Sequence, residues 1–170
     1  TENWQRSKKE VSYLFSLLQF ALEKEIADLN KKEVRFQAAG RINELPAKLQ
    51  TAIKKAIDLT KHNAKAVFTL AVNYGGRAEI TDAVESLLEK YPRVRKITEK
   101  MLEEFLYNPA NPDPDLIIRT SGEERLSGFL LWQSAYSELY FTPKLWPDFS
   151  ENDLDDALED YANRKRRYGK

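Results

Sequence analysis

One segment of the chain collects the side chain types that bind anions. An apolar run at 116–118 predicts a short buried strand. It is followed at once by two arginines and three hydroxyl residues, namely Arg119, Thr120, Ser121, Arg125 and Ser127. In open α/β sheets, ligands bind beyond the carboxyl ends of the strands. Because guanidinium groups are planar donors that match phosphate oxygens, the segment predicts an anion site, with a diphosphate as the expected ligand.

The two arginines of this segment also have a simpler interpretation, in which they form ion pairs on a solvated loop. Acidic candidates lie close by in the sequence at Asp115, Glu123 and Glu124. Exposed ion pairs contribute only ~0–1 kcal/mol to stability, so they would not by themselves explain the concentration of donors.

A single carboxylate stands in an aromatic setting further along the chain. Glu138 lies between Tyr136 and Tyr140. In such surroundings a carboxylate is either a buried partner for a cation or a ligand for a hard metal ion. The residues alone leave both interpretations open.

Composition excludes several classes of protein. Lys and Arg together number 27, as do Asp and Glu, so no overall charge attracts nucleic acid. The chain has no cysteine, which excludes disulfides and thiolate metal sites, and its single histidine, His62, argues against a Ser-His-Asp site. No apolar run approaches the ~18 residues that cross a bilayer. A cytoplasmic protein is expected, with peripheral contact to a membrane left open.

The order of the predicted elements indicates the fold class. The 170 residues suit one domain over 1–170, since domains usually have ~100–200 residues. Strands alternating with helices predict an α/β fold with a mostly parallel central sheet flanked by helices. The predicted strands are 34–39, 66–72, 116–118 and 138–141, and the predicted helices are 45–61, 77–88, 98–106, 151–167 and a long one at 10–30.

The long helix at 10–30 is apolar on more than one side. Leu17, Phe20 and Ala21 widen its apolar stripe, and a helix of this kind is buried on more than one face. One face could pack on the sheet while another lines an apolar cavity. Ordinary core packing and a dimer contact are equally open alternatives.

Several sequence blocks occur in a fixed order along the chain. They are Thr1-Glu-Asn-Trp-Gln-Arg6, Asn73-Tyr-Gly-Gly-Arg-Ala-Glu-Ile80, the 115–138 region, Trp146-Pro-Asp-Phe149 and Arg166-Arg-Tyr-Gly169. Together they resemble the cis-prenyltransferase family from Thr1 to Gly169. A match in several ordered blocks is far more specific than one short pattern.

The resemblance has two departures. Family members begin with an Asp-Gly-Asn-Gly-Arg-Trp block on the first strand, whose aspartate holds the catalytic Mg²⁺, and no such block occurs here. The N-terminal strand–helix units are therefore expected to be absent from this chain, and the chain alone is expected to be inactive. Gly128 stands where the family usually carries Asn, which makes that turn more flexible.

The resemblance also implies roles for residues of the 115–138 region. Arg119, Arg125, Leu126 and Ser127 match the residues that hold the diphosphate of isopentenyl diphosphate. Glu138 matches a carboxylate that is associated with Mg²⁺.

Both ends of the chain receive roles in the same way. Arg167 matches the family's terminal Arg-x-Gly motif, which reaches across the homodimer to the partner's active site. Asn3 matches an Asn near the position where a proton is lost, and since a neutral amide is a very weak base, it is expected to orient the substrate or a water. The other substrate-loop matches are Thr1, Glu2, Trp4 and Arg6.

The implied reaction is cis-prenyl chain elongation with Mg²⁺ as cofactor. Isopentenyl diphosphate would condense with farnesyl diphosphate to give undecaprenyl diphosphate, the lipid carrier precursor for cell-wall synthesis, which is delivered to the membrane.

A shorter- or longer-chain enzyme and a non-catalytic subunit of such an enzyme remain alternatives. Such subunits tend to lose the substrate arginines, which this chain keeps at Arg119 and Arg125. A generic phosphate-binding module is disfavoured, because no P-loop or Gly-x-Gly-x-x-Gly motif occurs.

Overall fold

The computed structural model describes residues 7–165, which form two compact units at 7–108 and 109–165. Each unit contains one pair of parallel strands with helices beside it. The prediction of parallel strands that alternate with helices is confirmed, and the four described strands are divided between two separate pairs. The organisation of 1–170 as a single domain stays a prediction.

The first unit opens with the long helix α1, Lys8–Lys31. Its start is fixed by a capping box, in which the Glu10 N–H donates to Ser7 Oγ and the Ser7 N–H donates to Glu10 Oε2, both at 3.3 Å. Ser7 is thus the N-cap of α1, which begins two residues before the predicted start at Glu10. The helix ends at Lys31, one residue beyond the predicted end.

A parallel strand pair follows α1 in the chain. Strand β1, Val34–Ala39, pairs in register with β2, Ala66–Ala71, so that Val34 faces Ala66 and Ala39 faces Ala71. Helix α2, Ala47–Thr60, joins the two strands. The core between them and α1 is formed by side chains that are nearly inaccessible, namely Leu22, Phe36, Leu45, Leu49, Ile53 and Ala56.

The turn after β1 depends on a glycine. Gly40 has a φ of +122°, and a Cβ placed there would lie 2.1 Å from the carbonyl oxygen of Val72. Only glycine allows the backbone after β1 to approach the backbone after β2 this closely. The remaining helices of the unit are α3, Gly76–Lys90, and α4, Glu99–Glu103.

The second unit carries the segment with the predicted anion site. Strand β3, Leu116–Arg119, pairs in parallel with β4, Glu138–Phe141. Helix α5, Glu151–Asn163, begins with a capping box between Ser150 and Asp153. The predicted end of this helix at Arg167 is wrong, because the backbone is already extended at Arg164, with φ −75° and ψ 135°.

No helix within residues 7–165 is long and apolar enough to cross a membrane.

Candidate active site

The predicted anion site begins at Arg119, the last residue of β3. Its carbonyl oxygen accepts a hydrogen bond from the Thr142 N–H at 2.9 Å. Beyond it, the Ser121 N–H donates to the Lys144 carbonyl at 2.7 Å and the Gly122 N–H to the Thr142 carbonyl at 2.9 Å. The first turn of the loop is therefore held against the chain that follows β4.

The side chain of Arg119 closes the loop. Its Nη1 donates to Ser127 Oγ at 2.8 Å and also to the carbonyl oxygen of Arg125. Leu126 lies between these two partners, and its carbonyl accepts from the Phe129 N–H at 3.0 Å. The structure thus brings together Arg119, Arg125, Leu126 and Ser127, as expected for one binding loop.

Arg125 presents its guanidinium group to solvent. Its side chain is 62% exposed and pairs with Glu123, whose side chain is 42% exposed. The ion pair foreseen in the simpler interpretation of this loop therefore exists for Arg125. Since exposed pairs are weak, a dianionic phosphate can take this guanidinium from Glu123 at little cost.

Left-handed backbone conformations shape this loop at both of its turns. Ser121 and Gly122 have φ values of 78° and 71°, and Ser127 and Gly128 have φ values of 48° and 78°. Among residues 7–165, no atom beyond the two chain neighbours lies within 4 Å of a Cβ placed on Gly128, so conformation rather than crowding favours glycine there. Among other residues, Asn tolerates the left-handed region best, which accounts for both Gly and Asn suiting this position.

Glu138, the first residue of β4, is a partner for a cation. Its Oε2 accepts from Arg164 Nη1 at 2.8 Å, and each of the two side chains is 31% exposed. Arg164 also donates through Nε to Asp160 Oδ2 at 2.7 Å. The hydrogen bond to Glu138, followed by those to Asp160, raises the pKa of the Arg164 guanidinium above its ordinary value.

Glu138 and Arg119 lie at opposite ends of the strand pair. In the parallel register, Glu138 faces Leu116 and Arg119 faces Phe141. The two positions are three residue steps apart, or about 10 Å along the strand axis at ~3.3 Å per residue.

The described residues do not by themselves fit a magnesium site. Within 7–165, no group of three or more His, Cys, Asp or Glu side chains could hold a metal ion. One oxygen of Glu138 is already bonded to Arg164. A single carboxylate with such a partner is a poor site for Mg²⁺, which prefers several oxygen ligands.

The first unit contains a polar network that the sequence did not predict. Arg41 donates two hydrogen bonds to Asp82, from Nε to Oδ2 at 3.0 Å and from Nη2 to Oδ1 at 2.8 Å. The hydroxyl of Tyr107 donates to Asp82 Oδ2 at 2.6 Å. The hydrogen bond from Arg41 lowers the pKa of Asp82, whereas burial, followed by the bond to Asp82, raises the pKa of Tyr107.

This network also positions the Asn73-Tyr-Gly-Gly-Arg77 block. Asn73 Nδ2 donates to the Arg41 carbonyl at 3.0 Å and to Glu44 Oε2 at 2.8 Å. The Tyr74 hydroxyl donates to Glu79 Oε2 at 2.5 Å. The contacts join the ends of β1 and β2, which supports a structural role for this block.

Helix α1 is apolar on more than one side, as the sequence predicts, but in the described residues the expected burial is found on one face and not on the other. Phe15, Leu18 and Ile26 pack against the core. Apolar side chains elsewhere on the helix remain exposed: Tyr13 by 68%, Leu14 by 42%, Leu17 by 50% and Phe20 by 63%.

The remaining predicted site residues lie outside the described range of 7–165. They are Thr1, Glu2, Asn3, Trp4, Arg6 and Arg167. Their roles stay predictions.

Comparison with known proteins decides the family. The family model described as "Putative undecaprenyl diphosphate synthase" matches residues 1–169. The chain belongs to this family of cis-prenyltransferases. Members with similar sequences include the isoprenyl transferase of Fusobacterium nucleatum, 49% identical over 99% of this chain and 72% of that protein, and that of Thermotoga maritima, 48% identical over 99% and 73%. The chain is therefore a prenyltransferase, and the family prediction is confirmed.

Solved structures of the family confirm the α/β fold. A probable undecaprenyl diphosphate synthase from Campylobacter jejuni superposes with a TM-score of 0.90 at 34% identity, covering 99% of this chain and 79% of that one. Lavandulyl diphosphate synthase from Lavandula x intermedia, in complex with dimethylallyl diphosphate, superposes with a TM-score of 0.93 at 40% identity, covering 99% and 75%.

Proposed function

We propose that this prenyltransferase elongates an allylic diphosphate with isopentenyl diphosphate to form a cis-prenyl chain. The observation that carries the proposal is the loop after β3, where the side chain of Arg119 bonds Ser127 and the Arg125 carbonyl. The loop gathers two guanidinium groups and a hydroxyl, which are suitable donors for a diphosphate.

Each of these three side chains has a distinct task in binding isopentenyl diphosphate. Arg119 shapes the loop, since its Nη1 is already bonded to Ser127 Oγ. Ser127 accepts that bond through oxygen, so its hydroxyl hydrogen can donate to a phosphate oxygen. Arg125 exchanges its exposed partner Glu123 for the diphosphate, which gives a stronger, charge-assisted contact.

Binding in this way holds the isopentenyl double bond in place for attack on the allylic carbon. A new carbon–carbon bond forms to the allylic carbon as the bond from that carbon to its diphosphate breaks, and the diphosphate leaves with the bonding electrons. A proton is then lost from the isopentenyl unit, which gives the cis olefin. Asn3 is proposed to orient the substrate or a water at this step. Holding both reactants in line reduces the barrier mainly by removing their freedom to misorient.

Mg²⁺ is proposed as the cofactor, with Glu138 as one carboxylate associated with it. Because the residues at 7–165 contain no complete metal site, Mg²⁺ would need further ligands.

The exposed apolar face of α1 is proposed to line the path of the growing prenyl chain. Tyr13, Leu14, Leu17 and Phe20 provide apolar surface that the core of the unit does not use. A hydrocarbon product that is extended from an anchored diphosphate would cover such a surface with a favourable transfer energy.

Farnesyl diphosphate is the proposed primer and undecaprenyl diphosphate the proposed product. The dimethylallyl diphosphate bound to the similar lavandulyl enzyme supports the choice of an allylic diphosphate. A homodimer, in which Arg167 serves the partner's site, and a cytoplasmic location are parts of the same proposal.

Incorporation of radiolabelled isopentenyl diphosphate tests the function. The protein is incubated with farnesyl diphosphate and Mg²⁺, and the labelled products are extracted and separated by length. We expect a long prenyl diphosphate to form. A short or very long product would favour the chain-length alternatives. No incorporation unless a second subunit is added would favour the non-catalytic alternative.

A further inference from the structure

Helix α5 is attached at both ends by ion pairs to residues outside the helix. At its start, Lys144 Nζ lies 2.5 Å from Asp153 Oδ1. At its end, Arg164 Nη1 donates to Glu138 Oε2 at 2.8 Å. Of the two partners outside the helix, Lys144 lies in the segment after β4 and Glu138 lies in β4 itself.

The guanidinium of Arg164 is held from two directions at the point where the helix ends. Its Nε and Nη2 both contact Asp160 Oδ2, at 2.7 Å and 2.5 Å, while Nη1 reaches Glu138. A planar guanidinium that is bonded on two edges has little freedom to rotate. The backbone leaves the helical conformation at Arg164 itself. Glu138 therefore links the residue at which α5 ends to strand β4.

We propose that Glu138 acts on the reaction as a positioning residue through Arg164, a role separate from any contact with Mg²⁺. Glu138 lies at the end of the strand pair opposite Arg119, and its Oε2 accepts a hydrogen bond from Arg164. This position suits a residue that anchors Arg164 better than one that contacts the diphosphate loop. By fixing the end of α5, it sets the starting point of the segment that carries Arg167. The inference rests on the proposed function, in which Arg167 contributes to the active site.

A double-mutant cycle tests the link between the two residues. The variants are Glu138→Gln, Arg164→Gln and their combination. If Glu138 acts through Arg164, each single change should lower kcat/KM on the order of tenfold, and the double variant should lose no more than either single one. Arg164→Lys keeps the charge but not the planar fork, so it should recover only part of the loss.

Lys144→Gln is the matched control, since it removes the ion pair at the other end of α5. If the pairs served only to stabilise the helix, the Lys144 and Glu138 variants should lose activity in proportion to their loss of thermal stability. We expect the Lys144 variant to keep its activity, whatever its effect on stability.

Limited tryptic digestion gives a measurement that does not depend on activity. Cleavage after Lys165, followed by mass spectrometry, should be several-fold faster in Glu138→Gln than in the wild type and unchanged in Lys144→Gln, because weakening the anchor frees the end of α5. The wild type could prove inactive, which would refute the proposed function, while the digestion would still decide whether Glu138 anchors Arg164.

Two results would overturn the inference. One is that the activity losses of Glu138→Gln and Arg164→Gln simply add. The other is that cleavage after Lys165 stays at the wild-type rate in Glu138→Gln.

Discussion

Arg119 Nη1 lies 2.8 Å from Ser127 Oγ, so the last residue of β3 holds the far side of its own loop across eight residues of chain. The loop is thereby closed from within by a side chain that could itself meet a phosphate. Arg125, by contrast, is exposed, and its guanidinium forms an ion pair with another exposed side chain, Glu123. The two arginines therefore differ in their contacts, with the Arg119 side chain bonded within the loop and the Arg125 guanidinium exposed.

Replacement of Arg125 should weaken substrate binding without affecting folding. A charge-assisted hydrogen bond contributes ~1.5–3 kcal/mol, so Arg125→Ala should raise KM for isopentenyl diphosphate on the order of tenfold or more. The melting temperature should hardly change, because the side chain is 62% exposed. Steady-state kinetics with each substrate varied in turn measure the effect. Glu123→Gln, which releases Arg125, is the control and should leave this KM unchanged or lower it. If Arg125→Ala raised the KM for farnesyl diphosphate instead, the loop would bind farnesyl diphosphate and not isopentenyl diphosphate.

The apolar face of α1 should control product length. Leu17→Trp adds bulk to an exposed apolar position and should shorten the product if the prenyl chain passes over this face. Thin-layer separation of radiolabelled products reads out their length. Leu88→Trp, at a residue of α3 with a similar exposure of 45%, is the matched control and should leave the product unchanged. Equal product lengths for both variants and the wild type would contradict this path.

Acid should destabilise the start of α5 through Asp153. Hydrogen bonds from Lys144 and Ser150 lower the pKa of Asp153 to about 2. An unfolded Asp titrates near ~4, so the stabilisation by this carboxylate is complete above that pH and is lost as pH falls from ~4 towards 2. Thermal unfolding measured between pH 6 and pH 2 should therefore show a shallower acid limb for Asp153→Asn than for the wild type. Asp155→Asn, on the same helix, should keep the wild-type profile.

Removal of residues 167–170 should reduce turnover while thermal stability stays nearly unchanged. This expectation follows from the proposed contribution of Arg167 to the partner's active site. Mixing the truncated protein with an Arg125→Ala subunit should restore part of the activity, since one hybrid site would then have both intact parts. Loss of stability in step with activity, or no recovery in the mixture, would leave Arg167 as an ordinary basic residue near a helix end.

The sequence by itself determined the elements whose signals are local. Strands β1 at 34–39 and β4 at 138–141 have the predicted bounds, and α1 ends one residue beyond its predicted end. Such features depend on residues within a few positions of one another, so the order of the chain is sufficient to reveal them. The ordered blocks likewise identified the family.

Only the tertiary structure decided which charged groups meet. Arg164 bonds Glu138 across 26 residues, and Arg41 bonds Asp82 across 41. The sequence left Glu138 open between a cation and a metal, and it gave no sign of the partners of Arg41. Charged side chains of the same type are interchangeable in sequence patterns, and their pairing is set by which strand ends and helix ends the fold brings within hydrogen-bonding distance.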